Sequence, residues 1–156
     1  MASATAERPA AHADAPRGSG NSLTLRIITP ERIALDEHVD SVRIPGLDGS
    51  IGILPRHAPM VAALDTGLLR YKQRGAEHVL FVSGGFAEVR ANTVRVVCEA
   101  GERPADIDPE RARAAEKRAR ERLDAARSTQ GEPIDLVRAE AALRRALMRL
   151  SARQSL

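Results

Sequence analysis

Apolar positions from Leu23 to Cys98 recur at every second residue in short runs. Leu23, Leu25 and Ile27 interleave with Thr24 and Arg26, and Val94, Val96 and Cys98 interleave with Thr93, Arg95 and Glu99. A period of two places each set on one face of a half-buried strand. Further strands are predicted at 32–36, 39–44, 50–54, 60–64, 68–72, 78–83 and 86–90. Turn chemistry separates most of them: Pro45-Gly46, Asp48-Gly49, Pro55, Asp65-Thr66-Gly67, Arg74-Gly75, Gly84-Gly85 and Ala91-Asn92. About nine short strands at this spacing predict an antiparallel sandwich or barrel.

The pattern changes after Gly101. From Ile107 the chain reads IDPERARAAEKRARERLDAAR, which only a helix accommodates. Asp108 can cap the free amides of the first turn, and Pro109 then stands at the first helical position, where its missing N–H does no harm. A first helix is expected over 109–127, a break over 128–132 around Gly131, and a second helix from Ile134 or Asp135 to Ala152. A connection this short makes the two helices an antiparallel hairpin. The fold expected is therefore a β-sandwich N-terminal domain plus a C-terminal antiparallel α-helical hairpin, an α+β chain of two modules. Its divisions are a disordered tail over 1–21, a sandwich over 22–101 and the hairpin over 102–156.

The hairpin seam reads as thin. One stripe of the first helix carries Ala112, Ala115, Ala119, Leu123 and Ala126, against Leu136, Leu143, Leu147 and Leu150 expected from the second. A buried leucine is worth roughly 1.5–3 kcal/mol and an alanine methyl roughly 0.8 kcal/mol at most. Arginine recurs beside these stripes, at Arg111, Arg118 and Arg122 on the first helix and Arg138, Arg145 and Arg149 on the second. Such a face is either a solvated surface with glutamate pairs or one that needs an anionic partner.

Composition sharpens this division. Of 156 residues, 43% are hydrophobic but only 2% aromatic, so the core must be built from Val, Ile, Leu and Ala. Three rings, Tyr71, Phe81 and Phe86, make a poor stacking platform for single-stranded nucleic acid. Residues 1–106 hold 12 Lys+Arg against 13 Asp+Glu, and residues 107–156 hold 12 against 8, so the basicity belongs to the helices. No apolar run approaches bilayer-spanning length. The first 21 residues lack a hydrophobic stretch for a secretory signal, and their Ala, Pro, Gly and Ser content suits a disordered extension.

Catalytic and metal chemistry find little support. Cys98 is alone, in a strand alternation where a small buried residue is expected. His12, His38, His57 and His78 lack the short spacing of a zinc site. Gly84-Gly85 is followed by no Gly-Lys-Ser/Thr and no helix, so it reads as a bulge or a close backbone approach rather than a phosphate loop. No nucleophile, base and orienting group share a motif, and the chain is expected to be non-catalytic. Basic helices alone could suggest a nucleic-acid module, but alternating Glu and Arg and the scarcity of rings argue against nucleic acid as a partner.

The stretch DGSIGILPRHAPMV (48–61), then TGLLR (66–70), SGGFAEV (83–89) and the two-helix tail resemble the epsilon subunit of F-type ATP synthase, in order and in spacing, over about residues 23–150. The resemblance implies a non-catalytic subunit of the central stalk, coupling ion flow to ATP synthesis. Its implied partners are the gamma subunit, the membrane c-ring and, with the hairpin extended, the catalytic-head subunits, where it blocks ATP hydrolysis. The implied location is peripheral, on the cytoplasmic face of the bacterial inner membrane.

No cofactor is implied as a requirement, but some members of that family bind regulatory ATP in the folded hairpin through an I/L-D-x-x-R-A motif. Ile107, Asp108, Arg111 and Ala112 match it, Glu102 stands five residues upstream, and Arg118, Arg145 and Arg149 fall at positions similar to phosphate-facing arginines. The same motif occurs in relatives of little ATP affinity, where Asp108 is a helix cap and Arg111 a surface residue. A stand-alone nucleotide-binding regulatory module is the alternative reading. Ser50, where a well-known relative has a carboxylate, matches a ring-facing position. His57 matches a position near gamma, although between two prolines a histidine also serves as a turn residue.

Overall fold

The computed structural model describes residues 21–128 and 133–156. The expected tail, Asn21 apart, and the expected break lie outside these residues, except that Ser128 belongs to the first helix. Among the described residues ten strands form two five-stranded sheets. They are β1 (Leu23–Ile28), β2 (Ile33–Val39), β3 (Ser41–Gly46), β4 (Gly49–Ile53), β5 (Met60–Ala63), β6 (Gly67–Gln73), β7 (Ala76–Ser83), β8 (Phe86–Arg90), β9 (Thr93–Val97) and β10 (Ala100–Glu102). One sheet runs β2-β1-β9-β8-β5 and the other β10-β7-β6-β3-β4.

The period-two reading decides which side chains meet between the sheets. Leu23, Leu25, Ile27, Val94 and Val96 from the first sheet and Ile44, Leu69, Leu80 and Val82 from the second are fully or almost fully buried in one cluster with Cys98. Two features differ from the sequence expectation. The first sheet is mixed, because β1 and β9 pair in parallel, with Leu25 opposite Val94 and Ile27 opposite Val96. A tenth strand also follows β9 and pairs with β7, with Glu102 opposite Phe81. It is only three residues long, too short to show a period.

Of the two readings of Gly84-Gly85, close backbone approach holds at Gly85, while a Cβ at Gly84 would meet nothing within 4 Å. Gly85 has φ +95°, and a Cβ there would stand 1.9 Å from the Val97 carbonyl oxygen.

Helices α1 (Pro109–Ser128) and α2 (Pro133–Arg153) follow a 3₁₀ turn at Pro104–Asp106. Asp108 caps α1, its Oδ1 accepting from the amides of Glu110 at 2.9 Å and Arg111 at 3.1 Å. Arg149, near the end of α2, reaches Glu102, just ahead of α1, so the helices run antiparallel. Helix α2 packs on β6 and β7 as well as on α1. The layers are therefore sheet, sheet, α2, α1.

Candidate functional site: the docked hairpin

Strand β7 ends with Leu80, Phe81, Val82 and Ser83 all buried. Four successive buried residues mean that both faces of the strand are covered. Leu80 and Val82 point into the sandwich. Phe81 points the other way and joins Ile107 and Ala152, with Leu68, Ala100 and Met148 packed around them. This small apolar plug attaches α2 to the sheet.

Two ion pairs and a hydrogen bond to main chain clasp α2 around the plug. The Arg149 guanidinium lies 4.5 Å from the centre of the Phe81 ring. Its Nε donates to both Glu102 carboxylate oxygens, at 3.0 and 3.1 Å, and its Nη2 to Oε1 at 2.7 Å. The register makes this geometry natural, since Glu102 and Phe81 are partners across β10 and β7. Arg144 meets Asp65, in the turn before β6, at 2.7 Å. Arg153 donates through Nη1 to the carbonyl of Pro104 at 3.0 Å. A half-exposed ion pair is worth up to about 1 kcal/mol, and the fork-and-ring geometry at Arg149 makes that clasp the strongest.

The seam between the helices corrects one expectation. It is alanine on alanine: Ala112, Ala119 and Leu123 of α1 are buried against Ala139 and Ala146 of α2, the last only 1% exposed. The α2 leucines flank it. Leu136, Leu143 and Leu150 are half-buried, and Leu147 is an exposed residue. Helix α2 must serve two neighbours, turning Ala139 and Ala146 to α1 and Met148 and Ala152 to the sheet, so its leucines fall between those faces. Two alanine faces bring backbones close but bury little area.

Each of five seam residues follows an arginine: Arg111-Ala112, Arg118-Ala119, Arg122-Leu123, Arg138-Ala139 and Arg145-Ala146. At about 100° per residue, each arginine sits a quarter turn from the seam. The approximate two-fold relating antiparallel helices carries that margin to the same side of the pair, so all five edge one face of the hairpin. None has an acidic partner among the described residues. Glu110 and Glu116 pair instead with Arg113 and Arg120, on the opposite margin.

The residues singled out from the sequence thus take several places. Glu102 and Arg149 are bonded to each other. Ile107 is in the plug, Asp108 is the cap and Ala112 is in the seam. Arg111 and Arg118 are exposed, and Arg145 is half-buried on the same arginine-lined face. His57 lies in the turn after β4, its Nδ1 2.8 Å from the Ala58 carbonyl oxygen and its amide donating to the Leu54 carbonyl at 3.1 Å. Ser50 is exposed in β4, opposite Pro45. Phe81, Asp65, Arg144 and Arg153 were missed. The unbroken apolar run Val79–Val82 is the signal that could have found Phe81; the other three depend on where α2 crosses the sheet.

A second surface lies on the outer face of the first sheet. The register aligns Ile33, Ile28, Val97, Phe86 and Ala63 across all five strands. Ile33 and Phe86 are exposed in this row, Val61 in β5 and Leu47, whose amide bonds the Ala63 carbonyl, are exposed next to it, and Leu54 is exposed at the other end of β4. The adjoining row is charged and internally paired, with Arg26 on Asp36 at 2.8 Å and Arg95 on Glu88 at 2.9 Å. Among the described residues no cluster of His, Cys, Asp or Glu is suited to hold a metal, and no helix is long and apolar enough to cross a membrane.

Comparison with known proteins gives a consistent result. Residues 22–104 match the family described as ATP synthase, Delta/Epsilon chain, beta-sandwich domain, and residues 105–154 match its long alpha-helix domain. The ATP synthase epsilon chain of Nitratidesulfovibrio vulgaris (strain DP4) is 49% identical over 85% of this chain and 96% of its own length. That of Desulforamulus reducens is 46% identical over 82% and 94%. Among solved structures, a chain of the Euglena gracilis mitochondrial ATP synthase OSCP/F1/c-ring assembly is similar in fold, with a TM-score of 0.71 at 22% identity, over 94% of this chain and 89% of that one. With both modules matched end to end, the chain belongs to the ATP synthase delta/epsilon family.

Proposed function

We propose that this chain is a non-catalytic rotor subunit of the central stalk of an F-type ATP synthase, on the cytoplasmic face of a bacterial inner membrane. Its sandwich holds the gamma subunit and the c-ring, coupling ion flow to ATP synthesis. Its hairpin restrains ATP hydrolysis when it leaves the sheet for the catalytic head. Relatives that carry the epsilon-chain name across nearly their whole length support the assignment. The exposed row from Ile33 to Ala63, with Val61 and Leu47, supplies apolar area of the kind that a protein partner covers; Ser50 and His57 are the positions the resemblance assigns to partners. The observation that carries the mobile hairpin is its attachment by one small plug and three clasps instead of a continuous core. Two docked arrangements of similar free energy are then reweighted by a modest difference in affinity.

The arginine-lined face supports regulatory ATP. Guanidinium forks suit phosphate oxygens, and among the described residues Arg111, Arg118 and Arg145 have no acidic partner to give up. Arg149 would join only by exchanging Glu102 for phosphate. The same face favours the alternative, a stand-alone nucleotide-binding module, and calorimetry on the isolated chain together with co-purification separates the two. The rotor reading expects capture by the gamma subunit. A chain that binds ATP tightly but is never captured belongs to the alternative.

In a reconstituted synthase, stopping the chain after Arg103 should release ATP hydrolysis while coupled synthesis continues. Unchanged hydrolysis would remove the inhibitory role. For the nucleotide, Arg118→Ala or Arg145→Ala should weaken ATP binding by about 1.5–3 kcal/mol, the value of a hydrogen bond to a charged group. Absence of ATP binding by the unmodified chain ends that part of the reading.

A further inference from the structure

Beside α2, on the same outer face of the second sheet, is a groove of about 430 Å³. Its floor is open because Gly52 in β4 carries no side chain, and a Cβ there would meet nothing within 4 Å. Arg43 of β3 is the register partner of both Gly52 and Arg70. Two like charges directly opposite on one face are unfavourable unless each has its own acidic partner, as Arg26 and Arg95 have across the first sheet. Lys72, two residues beyond Arg70, adds a third cation, opposite Ser41.

Compensation inside the groove is partial. Glu77 stands opposite Lys72 but gives its carboxylate to Arg70, at 3.4 Å with both side chains about half exposed. Arg43 and Lys72 have no acidic partner among the described residues. Three cations against one carboxylate leave two positive charges at a cleft of ligand size. A phosphate monoester, carrying about 1.5–2 negative charges near neutral pH, neutralises them, whereas one carboxylate or one phosphodiester neutralises half.

We infer that the Arg43–Arg70–Lys72 groove binds a phosphate group. This site is on the sandwich, remote in sequence from the hairpin arginines, and it does not depend on the hairpin's role. Two arginine forks meet the phosphate oxygens, Lys72 adds a point charge, and Gly52 leaves room for the ligand to enter. The source is either a soluble phosphate compound or a lipid whose headgroup ends in a phosphate monoester.

The test is a titration of the full chain with inorganic pyrophosphate, followed by backbone amide NMR, in an Arg118→Ala/Arg145→Ala background that lowers hairpin binding. The expected result is saturable shifts of the Ser41, Gly52 and Lys72 amides, with affinity reduced about tenfold or more by Arg43→Gln. Arg90→Gln, an exposed charge change on the other sheet, should leave affinity as it was. Lys72→Gln provides a second groove variant should Arg43→Gln disturb folding. Sedimentation with phosphatidic acid and phosphatidylcholine vesicles then identifies the source. Arg43-dependent binding to the anionic vesicles alone assigns a lipid headgroup, and saturation by pyrophosphate without vesicle binding assigns a soluble ligand. Groove amides that stay still, or that move equally in the Arg43→Gln/Arg70→Gln double variant, overturn the inference. So does hexaglutamate binding as tightly as pyrophosphate with the same shifts.

Discussion

Arg149 grips Glu102 with two guanidinium nitrogens while lying 4.5 Å from the centre of the Phe81 ring, so one side chain of α2 engages both an acid and an aromatic of the sheet. Arg149→Ala removes the fork and the stacking together and leaves Glu102 without its cation. Docking should weaken by about 1.5–3 kcal/mol. Hydrogen exchange should then quicken at the amides of α2 and α1 while the sandwich amides stay protected. Arg149→Lys keeps the charge without the fork and should recover only part of the protection. Equal protection in the Ala variant and the parent would show that the clasp does not hold the hairpin.

The seam makes a different prediction. Ala146 is 1% exposed at a place where two helix backbones approach. Ala146→Leu adds apolar area but has nowhere to put it, and should lower stability by about 1–3 kcal/mol through overpacking. Val137→Leu, on an exposed position of the same helix, should change stability by less than about 0.5 kcal/mol. Thermal unfolding of both variants checks the contrast; a stabilised Ala146→Leu would mean that the seam is looser than its burial implies.

Gly85 and Gly75 separate two costs of a side chain. Both have positive φ, but a Cβ at Gly85 would collide with the Val97 carbonyl, whereas one at Gly75 would meet nothing within 4 Å. Gly75→Ala should cost about 1 kcal/mol, the conformational penalty alone. Gly85→Ala adds displacement of the β9 backbone and should cost at least about 2 kcal/mol. Urea unfolding of the pair distinguishes these costs.

Burial pushes the Cys98 thiol up to about 11 from 9.0. The folded chain keeps this proton after the unfolded chain has lost it. The stability contribution is therefore fully present below about pH 9 and declines as pH rises toward about 11. Thiol alkylation should be slow at neutral pH in the native chain, and Cys98→Ala should remove this contribution to the alkaline fall in melting temperature. Rapid alkylation at pH 7 would contradict the buried placement of Cys98.

Much of the fold could be read from local pattern, and the failures share a physical cause. Leu23, Leu25 and Ile27 alternate because only one face of β1 is buried, so period alone identified the strand and its inward set. Asp108-Pro109 announced α1 because capping is a local matter. The parallel pairing of β1 with β9 is not local, and strands distant in sequence carry no mark of which way they will lie together. The α2 leucines misled because a helix with two neighbours divides its apolar residues between them, and the larger side chains were assigned to the wrong boundary. Glu102 and Arg149 were named as separate contributors to an anion site; that they bond each other depends on a three-residue strand too short to announce itself.

The layering of sheet, α2 and α1 constrains how the hairpin can travel. Lifting α2 strips water-shy area from both sides of one contact at once: the ring of Phe81 on the sheet and the Met148–Ala152 side of the helix. Helix α1, resting on α2, has to go with it as a single rigid passenger or be left with its alanines bare. If the hairpin moves as proposed, free excursions into solvent would be short-lived. A lasting move would require a host surface that accepts both α2 and its cargo, so the balance between docked and extended hairpin would be set by the receiving protein as much as by the chain itself.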